Sequence, residues 1–109
     1  MCSIPNTDNN VVSAYEALVK VGMDAKIPLV AADTDSVARG AVAAYGMDYR
    51  ALGVQTGKMV ARILNGEKPG TMASQTSDKL ELHVNLTAAK NQGVTLSDEL
   101  VKSAAKVVE

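Results

Sequence analysis

The stretch "VAADTDSVARGAVAAYGMDYRALG", residues 30–53, decides how this chain is read. A short apolar run ends abruptly in Asp33-Thr34-Asp35, and a second, Ala41 to Tyr45, ends a few residues later in Gly46-Met47-Asp48-Tyr49. Short unbroken apolar runs closed by turn formers are the pattern of strands buried on both faces, as in a parallel sheet. Acids placed just past two such strands fall in loops at the strands' carboxyl ends. Open α/β sheets bind their ligands there.

Upstream, Val11, Ala14, Tyr15, Leu18, Val19 and Gly22 recur at helical spacing, and Asn9 or Asn10 stands where a cap is wanted. The spacing predicts a helix over residues 10–24 after an apolar lead-in, Ser3-Ile4-Pro5. Ile27 to Ala32 predicts a buried strand, Ser36 to Arg39 a single helical turn released by Gly40, and Ala41 to Tyr45 the next strand. Downstream, Leu52, Thr56, Met59, Val60 and Ile63 mark one face of an amphipathic helix from Tyr49 to Leu64, closed by Asn65-Gly66. Glu67 to Asp78, with Pro69-Gly70, is a connection. Leu80, Leu82 and Val84 alternate with Glu81, His83 and Asn85, which predicts a strand whose wet face carries His83. A short helix over Leu86–Gln92 ends at Gly93, and Ser97-Asp98-Glu99 caps a last helix running to about Val108. The class is α/β, with a small mainly parallel sheet flanked by helices.

Composition removes several classes of function. With 109 residues the chain makes one small domain at most, or a piece of something larger. Eleven basic against 12 acidic residues leave a net charge of −1, without the basic excess that nucleic acid or an anionic membrane surface requires. No apolar stretch approaches the length of a bilayer span. One cysteine, Cys2, and one histidine, His83, exclude an internal disulfide and a Cys/His zinc cluster. Only Met1 precedes Cys2, so the apolar leader of a lipid-anchored cysteine is not in these residues, and Cys2 reads as an ordinary thiol. Asn85-Leu86-Thr87 meets the minimal glycosylation pattern, a triplet too common to carry weight.

Thr7-Asp8-Asn9, Asp33-Thr34-Asp35 and Met47-Asp48-Tyr49 each follow an apolar run, so the three are expected to converge on one edge of the sheet. Asp8, Asp33, Asp35 and Asp48 would repel one another there unless a cation or hydrogen-bond donors enter, and a protonated amine is the simplest such partner. An apolar strand followed by Asp33-x-Asp35 also opens the haloacid-dehalogenase-like phosphatases, whose first aspartate attacks phosphorus. That chemistry needs magnesium and a later acidic pair, and none follows Leu80 to Val84; Ser36-Val37 stands where Gly-Thr is preferred. A receiver-like phosphoacceptor pocket lacks its acidic pair and its lysine. Gly53 and Gly57 lie inside a predicted helix, and no phosphate-cradling glycine loop occurs, so no nucleotide cofactor is expected. No residue is assigned a catalytic role, and no metal ligand is assigned.

Taken together, Thr7-Asp8-Asn9, Asp33-Thr34-Asp35-Ser36-Val37 with Arg39-Gly40, and Asp48-Tyr49 with Leu52-Gly53-x-Gln55-Thr56-Gly57 resemble the carboxyl-terminal part of the ABC-transporter substrate-binding proteins of the tryptophan/tyrosine type. The resemblance implies a type I periplasmic-binding-protein fold, in which two α/β lobes close on a small solute and a membrane permease takes it up. It further implies ligand contacts at Thr7, Asp8, Asn9, Asp33, Thr34, Asp35, Met47 and Asp48, with Asp33 meeting the ammonium of an amino-acid-like solute. Gly46 and Met47 become the hinge. Residues 1–46 then form a βαβ segment of the carboxyl-terminal lobe, 47–70 cross to the other lobe, and 71–109 return as a strand and terminal helices. The implied location is periplasmic or extracellular and membrane-associated, with no cofactor. Three departures stand out: an apparent extra residue near Asn6, Met47 where an aromatic is common, and Ala32 where serine is. The competing class is the ligand-sensing lobe of LacI-type regulators, which shares the fold. The amino-terminal lobe is missing from the resemblance, so the isolated chain is expected to self-associate through an exposed helix stripe and an open sheet edge.

Overall fold

The computed structural model describes residues 2–4, 9–77 and 79–109. Thr7 and Asp8 lie outside the described residues. In chain order the elements are β1 (Cys2–Ile4), α1 (Asn9–Ser13), α2 (Tyr15–Ala25), β2 (Leu29–Ala31), α3 (Asp35–Ala38), β3 (Ala43–Met47), α4 (Tyr49–Leu64), a 3₁₀ turn (Pro69–Thr71), β4 (Leu80–Asn85), α5 (Leu86–Asn91), α6 (Asp98–Ser103) and β5 (Lys106–Val108). The chain divides into two compact units, residues 1–46 with 81–109, and residues 47–80.

The strands form one sheet in the order β1-β2-β3-β4-β5. The pairings β1–β2, β2–β3 and β4–β5 are parallel. Register sets Ile4 beside Ala31, and Ala31 beside Ala44, so the carboxyl ends of the first three strands share one edge. Tyr15, Val19, Leu29, Ala31, Val37, Ala41 and Ala44 form one buried cluster, and Val42, Ala88 and Ala89 a second. Ala41 and Val42, successive residues leading into β3, feed the two clusters separately, as alternating side chains do in a sheet covered on both faces.

Several boundaries differ from the sequence reading. The helix expected over residues 10–24 is divided by a turn at Ala14, although Ala14 N–H still donates to Asn10 O and Leu18 N–H to Ala14 O. The second strand is shorter than Ile27–Ala32, and Ile27 is exposed. The third begins two residues late, because Val42 N–H is taken by Leu29 O before the ladder starts, and it runs on to include Gly46 and Met47. The helix expected to reach Val108 stops at Ser103. Ala104 is extended (φ −71°, ψ 136°), Ala105 N–H donates to Leu82 O, and the β-branched Val107-Val108 pair beside Val84 and Asn85 as β5. His83 sits on no wet face: its side chain is 15% exposed, and Nε2 lies 3.2 Å from Glu81 Oε2. A strand forms at Cys2–Ile4, overlapping the apolar lead-in Ser3-Ile4-Pro5, for which the sequence reading sets no strand bounds.

Two buried amides brace the first unit. Asn85, 6% exposed, donates from Nδ2 to Val37 O (2.9 Å), and its Oδ1 caps α5 by accepting from Ala88 N–H (2.7 Å). The glycosylation triplet at Asn85 is therefore occupied by packing. Gln92, fully buried, accepts from Leu29 N–H (2.7 Å) and donates to Gly40 O (2.8 Å). Gly40 itself has φ +118°, and a β-carbon there would fall 2.7 Å from Val19 Cγ1, so neither the turn nor the packing admits a side chain.

The second unit is organised by α4, whose bounds match the expected Tyr49–Leu64. None of its residues is buried. Leu52 and Met59 are half-buried, while Val60 and Ile63 are exposed.

Candidate functional site

Asp33 and its neighbours follow β2 in the first unit. The Asp33 carboxylate folds over the start of α3: Oδ1 accepts from Ser36 N–H (2.8 Å) and Oδ2 from the Ser36 hydroxyl (2.6 Å). This is a capping arrangement, with the side-chain oxygens closing amide and hydroxyl donors of the first turn. Thr34, half-buried, and Asp35, exposed, occupy the turn itself. Asn9, exposed, opens α1 after β1.

The turn that carries Asp33 is fixed from three further elements. Ser36 O accepts from the Tyr15 hydroxyl of α2 (3.1 Å), Val37 O from Asn85, and Gly40 O from Gln92. Tyr15 is 2% exposed, and burial pushes its phenol above the usual value of 10.0. The Arg39 guanidinium lies 4.6 Å from the Tyr15 ring centroid and is paired with Glu16 at 2.7 Å, which closes the outer side of α2 against α3. An ionised carboxylate offers about four acceptor positions. The Asp33 carboxylate, held this firmly, presents its charge at a fixed place at the carboxyl end of β2.

In the second unit Met47, the last residue of β3, is 38% exposed, and Asp48 follows it. Met47 thus ends the strand rather than following it. Asp48 is the N-cap of α4, accepting from Arg50 N–H (3.0 Å) and Ala51 N–H (3.1 Å), and it pairs with Lys79 Nζ at 2.9 Å. The Lys79 ammonium, and after it the Ala51 amide, hold the Asp48 carboxyl below its usual 3.8. A carboxylate depressed in the folded state stabilises fully above its unfolded value and loses that contribution as pH falls through the folded value. The helical signal is therefore expected to stay constant from neutrality down to about pH 5 and to fall below about pH 4, with a smaller acid step in Asp48→Asn. Circular dichroism against pH checks this, and an equal step in both proteins would remove Asp48 as its cause.

A cavity of about 650 Å³ in the second unit is lined by Asp48, Arg50, Ala51, Val54, Gln55, Lys58 and Gln75. Gln55 Nε2 donates to Gln75 Oε1 and Thr76 O, while Gln55 Oε1 is buried without a partner. As a site residue sequence reasoning named only Asp48 here; Gln55 entered through the motif that carries the resemblance, without a binding role, and Gln75 had no pattern of its own. Among the described residues no cluster of His, Cys, Asp and Glu is arranged to hold a metal ion, and no helix is long and apolar enough to cross a membrane.

An α/β sheet whose βα loops gather polar groups at one edge is shared by many proteins. The sequence profile of the family described as "ABC transporter substrate binding protein" matches residues 2–108. The chain belongs to that family. Among members of known sequence, it is 34% identical over 108 residues to a tyrosine-binding protein of Clostridioides difficile (strain R20291), covering 90% of this chain and 31% of that protein. Among solved structures, it is similar to a conserved domain protein from Vibrio cholerae O1 biovar eltor (38% identity, TM-score 0.83, 96% of this chain and 36% of that one). It is also similar to an ABC domain in complex with L-Trp from Streptococcus pneumonia (28% identity, TM-score 0.82, 97% and 36%). A third similar structure is a ligand-free, open substrate-binding protein with adhesive properties from Clostridium difficile (35% identity, TM-score 0.74, 97% and 35%). The chain thus spans about a third of the length of the substrate-binding proteins it matches.

Proposed function

We propose that the chain acts as the carboxyl-terminal part of the solute-binding component of an ABC importer, without enzymatic activity, and that its solute is an amino acid of the aromatic class. The observation that carries this is the Asp33 carboxylate, held on a braced turn at the carboxyl end of β2 in a chain 34% identical to a tyrosine-binding protein. A fixed carboxylate is the natural counter-charge for an α-ammonium. In this reading Thr7, Asp8, Asn9, Thr34, Asp35, Met47 and Asp48 are further solute contacts, and Gly46 and Met47 form a hinge. Residues 47–70 cross to the other lobe, residues 71–109 return, and the closed form is handed to a membrane permease outside the cytoplasm.

The test is Asp33→Asn in the complete polypeptide that contains these residues. Asparagine keeps an oxygen for the Ser36 amide, so the turn is preserved while the charge is removed. Affinity for L-tyrosine or L-tryptophan is expected to fall about tenfold or more, the value of a charge-assisted bond in a closed site. Calorimetric titration reads it, and unchanged affinity takes Asp33 out of the site.

A further inference from the structure

Gly46 is buried in β3, and its α-carbon faces the loop that carries Asp33. A β-carbon built at this position would lie 3.0 Å from Ala32 O, 3.2 Å from Asp33 Cα and 3.3 Å from Thr34 N. All three neighbours are backbone atoms, so a methyl group could not be met by rotating a side chain. The loop itself would have to move. Its far end has little room to follow, because Ser36 O, Val37 O and Gly40 O are held by Tyr15, Asn85 and Gln92. Displacement at Ala32 would therefore be taken up between the end of β2 and Ser36, where Asp33 sits.

At the other end of the same short span, Ser36 holds the carboxylate directly through its amide and hydroxyl. The hydroxyl is donated at 2.6 Å from a residue 4% exposed, so water does not substitute for it easily. We propose that Gly46 and Ser36 are positioning residues for the solute's ammonium: the bare α-carbon of Gly46 lets the loop settle against β3, and Ser36 sets the rotation of the Asp33 carboxylate within it. This rests on the assignment of Asp33 as the ammonium partner.

The readout is the preference for an amino acid over its deaminated analogue, an aryl propionate that keeps the ring and the carboxylate. It is measured by calorimetry in the complete polypeptide with L-tyrosine or L-tryptophan, whichever the wild type binds more tightly. Wild type is expected to prefer the amino acid by roughly tenfold or more. In Gly46→Ala and in Ser36→Ala the preference should shrink to about threefold or less. In Ser36→Ala affinity for the aryl propionate stays within about threefold of wild type, while Gly46→Ala, at the proposed hinge, is read by the preference alone, since altered closure changes both affinities together. A general loss of structure would lower both affinities together, and thermal melts identify a variant that fails to fold. If Gly46→Ala does not fold, Ser36→Ala carries the test. Asp33→Asn separates the two levels of the reading. If it keeps the preference, or if wild type has none, the Asp33 assignment falls and the positioning roles fall with it. If it loses the preference while folded Gly46→Ala and Ser36→Ala keep theirs, Asp33 stands and the positioning roles are overturned.

Discussion

Replacing Gln92 with leucine is expected to destabilise the chain by about 2–5 kcal/mol and to lower its melting temperature by roughly 10–20 °C. The two side chains are similar in volume, so packing is not the cause. Gln92 is fully buried, and its amide closes two backbone groups from distant parts of the chain: it accepts from Leu29 N–H at the start of β2 and donates to Gly40 O after α3. Leucine leaves both without partners where water cannot reach, and each orphan costs about 1–3 kcal/mol. Against a total stability of about 5–15 kcal/mol for a small domain this is a large loss. Thermal unfolding followed by circular dichroism measures it. A leucine variant within about 1 kcal/mol of wild type would mean that the backbone finds other partners.

Gln92 also shows where sequence reading stops. Elements with a local cause were legible. The apolar stripe and the Asn65-Gly66 stop marked α4, and the acids after the apolar run ending at Ala32 placed the end of β2 within a residue. Elements made by distant partners were not. Residues 106–108 form a strand only because β4 offers its edge to them. Ser97 does cap α6, accepting from Leu100 N–H, but the five residues read as the rest of that helix, 104–108, begin with the break at Ala104. Nothing in an alanine pair announces that break.

The acids follow the same division. Their position past β2 and β3 could be read from apolar runs and turn formers, and the turn-former role that competes with ligand binding is what geometry adds to it: Asp33 caps α3 and Asp48 caps α4. Capping and binding are compatible for a carboxylate, which has acceptor positions to spare. What the sequence does not carry is the bracing behind Asp33. Tyr15, Asn85 and Gln92 reach the turn from positions 21 and 48 residues away from their Ser36 and Val37 partners, and 52 residues away for Gly40. Asn85 had a local signal, since an asparagine before Leu86 is a fair helix cap. Gln92 had none.

As an isolated 109-residue polypeptide, the chain is expected to self-associate at micromolar concentration through α4. The helix has no buried residue, and Val60, Ile63 and Leu64, three and four residues apart on one face, are 48%, 38% and 81% exposed. Burial stabilises an apolar side chain by roughly 1.5–3 kcal/mol, so a second copy that covered this face would recover several kcal/mol. That is of the order of a small domain's whole stability, about 5–15 kcal/mol. Such a stripe on a helix is larger than the scattered apolar residues a monomer normally shows. The sheet edges compete poorly with it. β1 and β5 are three residues each, and short edge strands offer few hydrogen bonds to a partner. The association should therefore depend on the helix and not on the strands, which makes it separable by mutation. Val60→Lys with Ile63→Glu removes two apolar contacts and leaves the core clusters of the first unit untouched, since neither residue belongs to them. Sedimentation velocity is expected to show a dimer or larger species for wild type and a monomer for the double variant, with the same melting transition in the first unit. A wild-type chain that sediments as a compact monomer would show that the exposed face of α4 is tolerated as it stands, and equal association in the double variant would move the interface to the strands.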